Sequence, residues 1–393
     1  MYKYNLYQTN IYPEMNDSKK KIINVCEPLL TKNAKKYVLD CISSEWISSA
    51  GKYLKDFENK WANYCGAEDG IAVTNGTSAL QVAFKSLNLK HGDEVIMPSF
   101  TIISCATAVI EAGAKPVFVD CYADTWCLNV EEVKKKINKN TKAILVVHMF
   151  GHPAEMEPIQ KLVKRNKLFL IEDAAEAHGA TYKKKRVGSF GDLACFSFYA
   201  NKLITTGEGG MVLSNNKKLT KRIRSLINLS FRTDRRFYHT EIGYNYRLTN
   251  MQAAIGISQI ENLDNHIKIK RKNTLMYNKI ITKMNLPLRL PSEQKDCMSV
   301  YWMYGIVIKD RIFDASYLSK ELYKYGIETR PLFLGMHQQP VLKDMQIFSK
   351  NKLPNTEELA KYGLYLPSGL KLNRSKIVRV CDALKEIFDE YKK

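Results

Sequence analysis

The chain has 393 residues, of which 45% are hydrophobic and 25% charged. This size and composition indicate a globular protein of two or three domains and exclude disordered, collagenous and disulfide-scaffold classes. The net charge is +20, but the basic residues are dispersed, and no helix-turn-helix, zinc-finger or RNP pattern accompanies them. We therefore expect no nucleic-acid partner, whereas a basic surface favours a small anionic substrate.

The compartment is predicted from three features of the chain. No apolar stretch approaches the ~20 residues of a membrane-spanning helix, and the first residues contain no apolar signal region. The nine cysteines are scattered, without a C-x-x-C pair or a Cys/His cluster at metal-binding spacing. We expect a cytoplasmic protein with reduced thiols, no membrane contact and no metal site.

Residues 1–23 are polar and aromatic without a clear period, and we interpret them as a lead segment. Short apolar runs rich in Val and Ile then predict strands at 71–74, 94–97, 116–120, 143–148, 168–172, 194–198 and 211–213. Helix-like stretches separate several of them, as after Gly76, where apolar residues recur with helical spacing. This alternation predicts a mostly parallel sheet with helices on both faces.

The last third of the chain has a different character. A long helical pattern over 251–280 predicts a connector that leaves the sheet domain. A strand at 303–308, a helix near 315–325 and a final helix near 375–391 predict a smaller α+β domain. We place the large domain at 24–265 and the small domain at 266–393.

The most informative segment is CFSFYANKLITTGEGGMV, residues 195–212. It places Lys202 after an apolar strand and before three glycines. Most lysines are simply solvated. A lysine amine that is partly desolvated can instead form a Schiff base with an aldehyde, and pyridoxal 5′-phosphate (PLP) is the common partner. We favour this second interpretation and take Lys202 as the candidate catalytic residue.

PLP chemistry also requires a carboxylate that keeps the pyridine nitrogen protonated. Asp173 follows the apolar run 168–171 and is the candidate. An equally good interpretation of the segment makes Asp173 the N-cap of a helix that starts at Ala174.

The phosphate of PLP requires backbone N–H groups at a helix N-terminus. In AVTNGTSALQVAF, a strand and a turn at Asn75-Gly76 precede Thr77 and Ser78, which open an amphipathic helix. Ser197, on the strand before Lys202, could add a hydroxyl, although a serine satisfied within its strand is the commoner case.

Six segments together resemble one family: GTSAL, GDEVIMPSFT, PVFVD, IEDAAEAHGA, FSFYANKLITTGEGGMV and GYNYRLTNMQAAIG. They are similar, in order over about 25–390, to the DegT/DnrJ/StrS family of PLP-dependent sugar aminotransferases. The resemblance implies an α/β fold of the fold-type-I class of PLP-dependent transferases. In that fold, a large domain with a mixed, mostly parallel seven-stranded sheet precedes a smaller α+β C-terminal domain.

The resemblance also implies roles for individual residues. Lys202 matches the lysine that bonds the cofactor and moves the proton, and Asp173 matches the partner of the pyridine nitrogen. Glu176 matches the contact to the phenolic oxygen, although without the family it would be an exposed first-turn Glu. The positions that match the phosphate cradle are Gly76, Thr77, Ser78 and Ser197.

Three further positions bear on assembly, cofactor cover and reaction type. Asn245 matches the residue that reaches the phosphate from the neighbouring subunit, which implies a homodimer with shared active sites. Ile102 stands where the family commonly places an aromatic residue over the cofactor ring, so aliphatic contact would replace stacking. One branch of the family replaces the lysine with His and removes a hydroxyl, so Lys202 favours transamination.

The segments RRFYHTEIGYNYRLTNMQAAIG, VYWMYGI and GIETRPLFLGMH are most similar to one branch of the family. Its members transfer the amino group of glutamate to C4 of GDP-4-keto-6-deoxymannose, giving GDP-perosamine for O-antigen or polysaccharide biosynthesis. By resemblance Arg330 and His337 lie near the sugar nucleotide; alternatively they are a surface Arg and a loop His. The open alternatives are a dTDP- or UDP-linked ketosugar, a dehydratase of the same fold, and a binding protein without turnover.

Overall fold

A computed structural model describes residues 22–347 and 352–391. The predicted lead segment, 1–23, therefore lies outside the described residues except for Ile22 and Ile23. Ile23 forms a parallel bridge with Ile327. None of the helices in the described ranges is long and apolar enough to cross a lipid bilayer.

The helices and strands follow one another in the alternation that the sequence predicts. The α-helices are α1 (Lys32–Ser43), α2 (Lys52–Cys65), α3 (Gly76–Ser86), α4 (Ile103–Glu111), α5 (Val130–Lys136), α6 (Met156–Asn166), α7 (Lys217–Leu226), α8 (Asn250–Ile260), α9 (Leu263–Met284), α10 (Ala315–Lys324), α11 (Pro340–Asp344), α12 (Pro354–Tyr362) and α13 (Arg374–Tyr391). The strands are β1 (Asp69–Val73), β2 (Glu94–Pro98), β3 (Lys115–Val119), β4 (Thr141–Val147), β5 (Phe169–Asp173), β6 (Thr181–Tyr182), β7 (Lys185–Arg186), β8 (Leu193–Ser197), β9 (Gly210–Ser214), β10 (Leu288–Arg289), β11 (Cys297–Met298), β12 (Tyr304–Ile308), β13 (Arg330–Pro331) and β14 (Gly363–Leu366).

The central sheet has seven strands in the order β1-β9-β8-β5-β4-β2-β3. The pairs from β8 across β5, β4 and β2 to β3 are parallel, whereas β9 is antiparallel to both of its neighbours. Each of the seven predicted apolar runs overlaps one of these strands. The predicted fold class, a mixed and mostly parallel seven-stranded sheet, is confirmed.

Strand alternation divides the apolar residues of this sheet between two cores. On β8, Leu193 and Cys195 belong to the core that contains α3 and α4. Ala194 and Phe196 belong to the opposite core, with Phe57 of α2. Successive side chains of a strand point to opposite faces, so a strand covered by helices on both sides must be apolar throughout.

The C-terminal part of the chain forms a second, antiparallel sheet of order β10-β12-β14-β13. Its core includes residues of β12, β14, α9, α10 and α13. This is the α+β organisation that the sequence predicts, and the predicted boundary at 265/266 falls within α9. The prediction of one helix over 251–280 is wrong, because α8 ends at Ile260 and α9 begins at Leu263.

Candidate active site

Lys202 lies on the loop between β8 and β9, half-buried, with its backbone N–H donated to Tyr199 O at 2.9 Å. Its Nζ lies 3.9 Å from the ring centroid of Trp302. Burial lowers the pKa of this amine, and the carboxylates of Glu176 and Asp173 oppose that effect. A lysine that is easier to deprotonate than a solvated one is a better nucleophile and proton acceptor.

Asp173 is the last residue of β5 and is buried. Its Oδ1 accepts the backbone N–H of Ala175 at 3.0 Å, and its Oδ2 accepts the thiol of Cys105 at 3.1 Å. The segment after it, 174–180, forms turns. The alternative interpretation of Asp173 as the cap of a helix starting at Ala174 is therefore wrong.

Glu176 lies in these turns and is only 8% exposed. It accepts the backbone N–H of Phe150 at 2.8 Å. Burial raises the pKa of Glu176 to about 7, although the positive charge of Lys202 acts in the opposite direction. The alternative of an exposed first-turn Glu is wrong, since this carboxyl is enclosed beside the candidate catalytic amine.

The buried carboxyl of Glu176 predicts a pH dependence of stability in the cofactor-free protein. Its folded-state pKa of about 7 lies above the unfolded value of 4.5, so its contribution to stability falls as pH rises from 4.5 to about 7. Glu176→Gln removes the ionisation and should gain stability relative to wild type between about pH 5 and about pH 8, by on the order of 2–3 kcal/mol. Urea unfolding at both pH values measures this difference.

Glu157 provides the matched control. It is exposed, and hydrogen bonds from Lys161 and Lys183 lower its pKa to about 2. Glu157→Gln should therefore lose stability, or leave it unchanged, over the same interval. A Glu176→Gln variant that follows wild type at both pH values would show that this carboxyl is not desolvated.

The N-terminus of α3 approaches the end of β8. A Cβ added at Gly76 would lie 2.7 Å from Cβ of Ser197, so only glycine permits this approach. The N-cap is Asn75, whose Oδ1 accepts the backbone N–H of Ser78 at 2.8 Å and its hydroxyl at 2.9 Å. Thr77 Oγ1 lies 2.9 Å from Ser104 Oγ. The predicted phosphate-binding residues are thus brought to one helix N-terminus beside a serine hydroxyl.

Gly76→Ala tests this close approach. The added methyl group must displace Ser197 or the helix N-terminus, so we expect cofactor affinity to fall by about tenfold or more. Equilibrium dialysis against PLP measures the effect. Ser86→Ala, at the other end of α3, is the control and should retain wild-type affinity; equal affinity for both variants would place the phosphate elsewhere.

Glu172, next to Asp173 on β5, faces the opposite side of the sheet. Its Oε2 lies 3.0 Å from Nε2 of His148 and accepts the N–H of Gly188 at 2.8 Å. Its Oε1 accepts the N–H groups of Phe190 and Gly191 at 2.8 and 2.7 Å. This carboxylate is fully engaged in holding the 188–191 turn, which leaves Asp173 for the site.

Four predicted site residues remain to be placed: Ile102, His337, Arg330 and Asn245. Ile102 is the N-cap of α4 and is 49% exposed. His337 is buried, with Nδ1 2.7 Å from Ser99 Oγ, so it is not a loose loop His. Arg330 lies opposite Tyr365 in the small sheet and pairs with Glu328 at 2.5 Å. Asn245 forms a bridge with Asn228, and its Oδ1 accepts Nε of Arg247 at 3.0 Å.

Sequence reasoning did not single out four residues that shape the site. Cys105 contacts Asp173, Phe150 contacts Glu176, and Trp302 contacts Lys202. His178 donates its Nε2–H to the carbonyl oxygen of Ser197 at 2.8 Å, and burial lowers the pKa of His178 to about 3. His178 and Trp302 lie inside motifs used for the resemblance, whereas Cys105 and Phe150 carried no sequence signal.

This arrangement fits PLP. A half-buried amine, a buried carboxylate at a strand end and a glycine-opened helix N-terminus meet at one edge of the central sheet, and the fold and side chains are typical of fold-type-I PLP-dependent transferases.

Comparisons with known proteins agree. The family model described as the DegT/DnrJ/EryC1/StrS aminotransferase family matches residues 28–385. The chain is 40% identical to GDP-perosamine synthase of Escherichia coli O157:H7 over 94% of this chain and all of that protein. It is 38% identical to GDP-perosamine synthase of Caulobacter vibrioides over 93% of this chain and 98% of the relative.

Solved structures agree with the sequence relatives. Streptomyces venezuelae DesV superposes with a TM-score of 0.84 at 32% identity, covering 91% of this chain and 94% of its own. Helicobacter pylori PseC, an aminotransferase, superposes with a TM-score of 0.88 at 26% identity, covering 94% of this chain and 100% of its own.

The chain belongs to the DegT/DnrJ/EryC1/StrS aminotransferase family. It is a PLP-dependent nucleotide-sugar aminotransferase.

Proposed function

We propose that this enzyme transfers the amino group of glutamate to C4 of GDP-4-keto-6-deoxymannose and so forms GDP-perosamine, as a step of O-antigen or polysaccharide biosynthesis. The observation that carries the choice of substrate is the full-length similarity, at 37–40% identity, to three relatives named GDP-perosamine synthase. The basic net charge of +20 suits a substrate with a diphosphate.

Lys202 is the catalytic residue in this proposal. When bound, PLP supplies an aldehyde carbon that bonds a primary amine and an electron-poor ring that stabilises negative charge beside it. Lys202 supplies the amine and, when free, takes a proton at Nζ and returns it. Its half-buried position and lowered pKa support both roles, because a neutral amine is the form that attacks and accepts protons.

The other cofactor-binding residues supply charge to PLP and fix its orientation. Asp173 presents a carboxylate for the ring nitrogen, and Glu176, with its pKa raised to about 7, can donate or accept at the phenolic oxygen. Gly76, Thr77, Ser78 and Ser197 bind the phosphate. Ser78 acts mainly through shape, since its N–H and hydroxyl both engage Asn75. Ile102 covers the ring by aliphatic contact.

Arg330 and His337 bind the sugar nucleotide in this proposal. Burial raises the pKa of Tyr365, and this hydroxyl is also within electrostatic reach of both Arg330 and Glu176. Arg330 pairs directly opposite Tyr365, so their side chains share one face of the small sheet. The ring of Tyr365 packs 5.6 Å from that of Phe150, which donates its N–H to Glu176. Ser99, which contacts His337, follows β2 at the same end of the central sheet as Asp173.

We also propose a homodimer in which Asn245 reaches the phosphate of the partner's cofactor. The segment 231–243, just before Asn245, presents Phe237 and Ile242, each 81% exposed. Apolar side chains so exposed on one segment are typical of an interface. The division into domains at 265/266 and a cytoplasmic location, where nine free cysteines stay reduced, are part of the same proposal.

A second substrate class is favoured by a specific observation. The chain is 35% identical over 86% of its length to a Streptomyces venezuelae enzyme named as a dTDP-sugar transaminase. Incubating the holoenzyme with glutamate and GDP-, dTDP- and UDP-linked 4-keto-6-deoxysugars, followed by mass spectrometry and NMR of the products, separates the candidates.

We expect the GDP-linked sugar to be converted into a 4-amino product at a rate at least tenfold above the others. Preference for a dTDP- or UDP-linked sugar would overturn the choice of nucleotide and leave the reaction type intact. A deoxygenated product without nitrogen would indicate a dehydratase, and the absence of any reaction with glutamate would contradict the proposed donor.

A further inference from the structure

The amine of Lys202 is in contact with the face of one aromatic ring. Its Nζ lies 3.9 Å from the ring centroid of Trp302, well inside the ~6 Å within which a cation is attracted by an aromatic face. Trp302 is buried and Lys202 is half-buried, so the contact is partly shielded from water. Indole gives the strongest attraction of this kind among the aromatic side chains.

The indole is held in place on several sides. Its Nε1–H donates to the carbonyl of Asn201, the residue before Lys202, at 2.8 Å. Its backbone N–H donates to Phe150 O at 2.9 Å, and its carbonyl accepts Nζ of the buried Lys270 at 2.7 Å. Because Phe150 also donates its N–H to Glu176, the same turn fixes both the carboxyl and the ring that flank the amine.

Other charged and titratable groups also face Lys202. Burial favours the neutral amine of Lys202, whereas Glu176, Asp173 and Cys26 favour its protonated form. Burial lowers the pKa of His178, and the charge of the amine acts in the same direction. These groups set the charge of the site but do not define a resting position for Nζ, because none of the described hydrogen bonds joins any of them to it. The ring of Trp302 is the contact that does.

We propose that Trp302 is a positioning residue that holds the amine of Lys202 against its indole face whenever that amine is not bonded to the cofactor. This inference rests on the proposed role of Lys202. A lysine side chain has four carbons and loses much rotamer freedom when it is fixed. A rigid ring that holds the amine beside the site keeps it where the proton must be removed and returned.

The chain offers a matched control. Trp126 is also buried, and its ring packs edge-on against Phe150 at 5.6 Å between centroids, as Trp302 does at 5.5 Å. Trp126→Leu therefore removes a comparable amount of apolar contact from the same core. Trp302→Phe keeps a ring face without the Nε1 hydrogen bond, and Trp302→Leu removes the face.

The first measurement uses holoenzyme reconstituted with pyridoxamine phosphate, in which Lys202 stays unbonded because this cofactor form has no aldehyde. Trace acetylation with acetic anhydride across a range of pH, read by mass spectrometry of the Lys202 peptide, gives the pKa of its amine. Loss of the aromatic face should lower that pKa by about one pH unit in Trp302→Leu and by less in Trp302→Phe. Trp126→Leu should match wild type.

The direction of the shift is decisive. If Trp302 only fills space, its replacement by Leu admits water and raises the pKa of the amine, or leaves it unchanged, and either result overturns the proposal. An equal shift in Trp126→Leu would also overturn it. Thermal unfolding of each variant identifies any that do not fold, and Trp302→Phe, the milder change, still provides the comparison.

The second measurement is the single-turnover reaction of the PLP-loaded enzyme with glutamate and with α-deuterated glutamate. Trp302→Leu should slow it by about ten- to a hundredfold with KM for glutamate within about twofold, and should enlarge the isotope effect, since proton transfer is the step that suffers. A raised KM with an unchanged rate would contradict positioning. Failure of wild type to react with glutamate would refute the proposed donor, while the acetylation result would still decide the role of Trp302.

Discussion

Lys202→Ala should reduce transamination by about 10⁴-fold or more. The variant loses the amine that bonds the cofactor and the only group proposed to move the proton, and general acid–base catalysis alone contributes about 10²–10⁴-fold. Steady-state assays with glutamate and the ketosugar measure the rate, and the visible absorbance of the holoenzyme reports whether the cofactor is still covalently attached.

Lys161→Ala is the control for that substitution. Its side chain is 74% exposed and pairs with Glu157 on the surface, so activity and absorbance should stay at wild-type values. Lys202→Arg keeps the positive charge but cannot bond the aldehyde at neutral pH, so it should be as inactive as the Ala variant. A Lys202→Ala enzyme that retains a tenth of the wild-type rate would remove this residue from catalysis.

Asp173→Asn should lower kcat by about 10²–10⁴-fold while leaving the fold intact. The amide is the same size and can still accept the N–H of Ala175, which the carboxylate accepts at 3.0 Å. It lacks the negative charge that keeps the ring nitrogen protonated, so the cofactor withdraws fewer electrons in the step that Lys202 catalyses. Rapid-mixing measurements of the half-reaction with glutamate isolate this step.

A carboxylate that contacts the other end of β5, from the residue before β8, provides the matched control. Asp192 Oδ2 accepts the backbone N–H of Leu170 at 2.8 Å, a purely structural contact. Asp192→Asn should therefore change kcat by less than about threefold, whatever it does to thermal stability. If the two variants were equally impaired, Asp173 would act through stability and not through the cofactor.

The central sheet was predictable because its strands are buried on both faces. Residues 143–147 and 193–196 are apolar without interruption, which is the pattern of a strand covered on both faces. The single helix over 251–280 was wrong because apolar periodicity continues across residues 261 and 262, where the chain turns. Periodicity records which residues are buried but not where the axis of a helix changes direction.

The candidate site was predictable where a motif has a fixed local geometry. Asp173 ends β5, while Gly76 and Lys202 follow β1 and β8, so the sheet brings all three to the carboxyl ends of its parallel strands. Contacts from distant segments could not be predicted. Phe150, which adopts a left-handed φ of 50° that is rare for an aromatic residue, donates its N–H to Glu176 from another segment. Trp302 contacts Lys202 across a hundred positions of sequence.

The adjacent carboxylates of β5, Glu172 and Asp173, have different roles because successive side chains of a strand point in opposite directions. Glu172 secures the 188–191 turn on one side, and Asp173 faces the site on the other. Deleting a single residue within β5 would reverse the directions of the Glu172 and Asp173 side chains. Asp173 would then point towards the 188–191 turn and away from the candidate site. Selection on this enzyme must therefore preserve the length of β5 as strictly as the identity of position 173, and indels there should be absent from functional descendants.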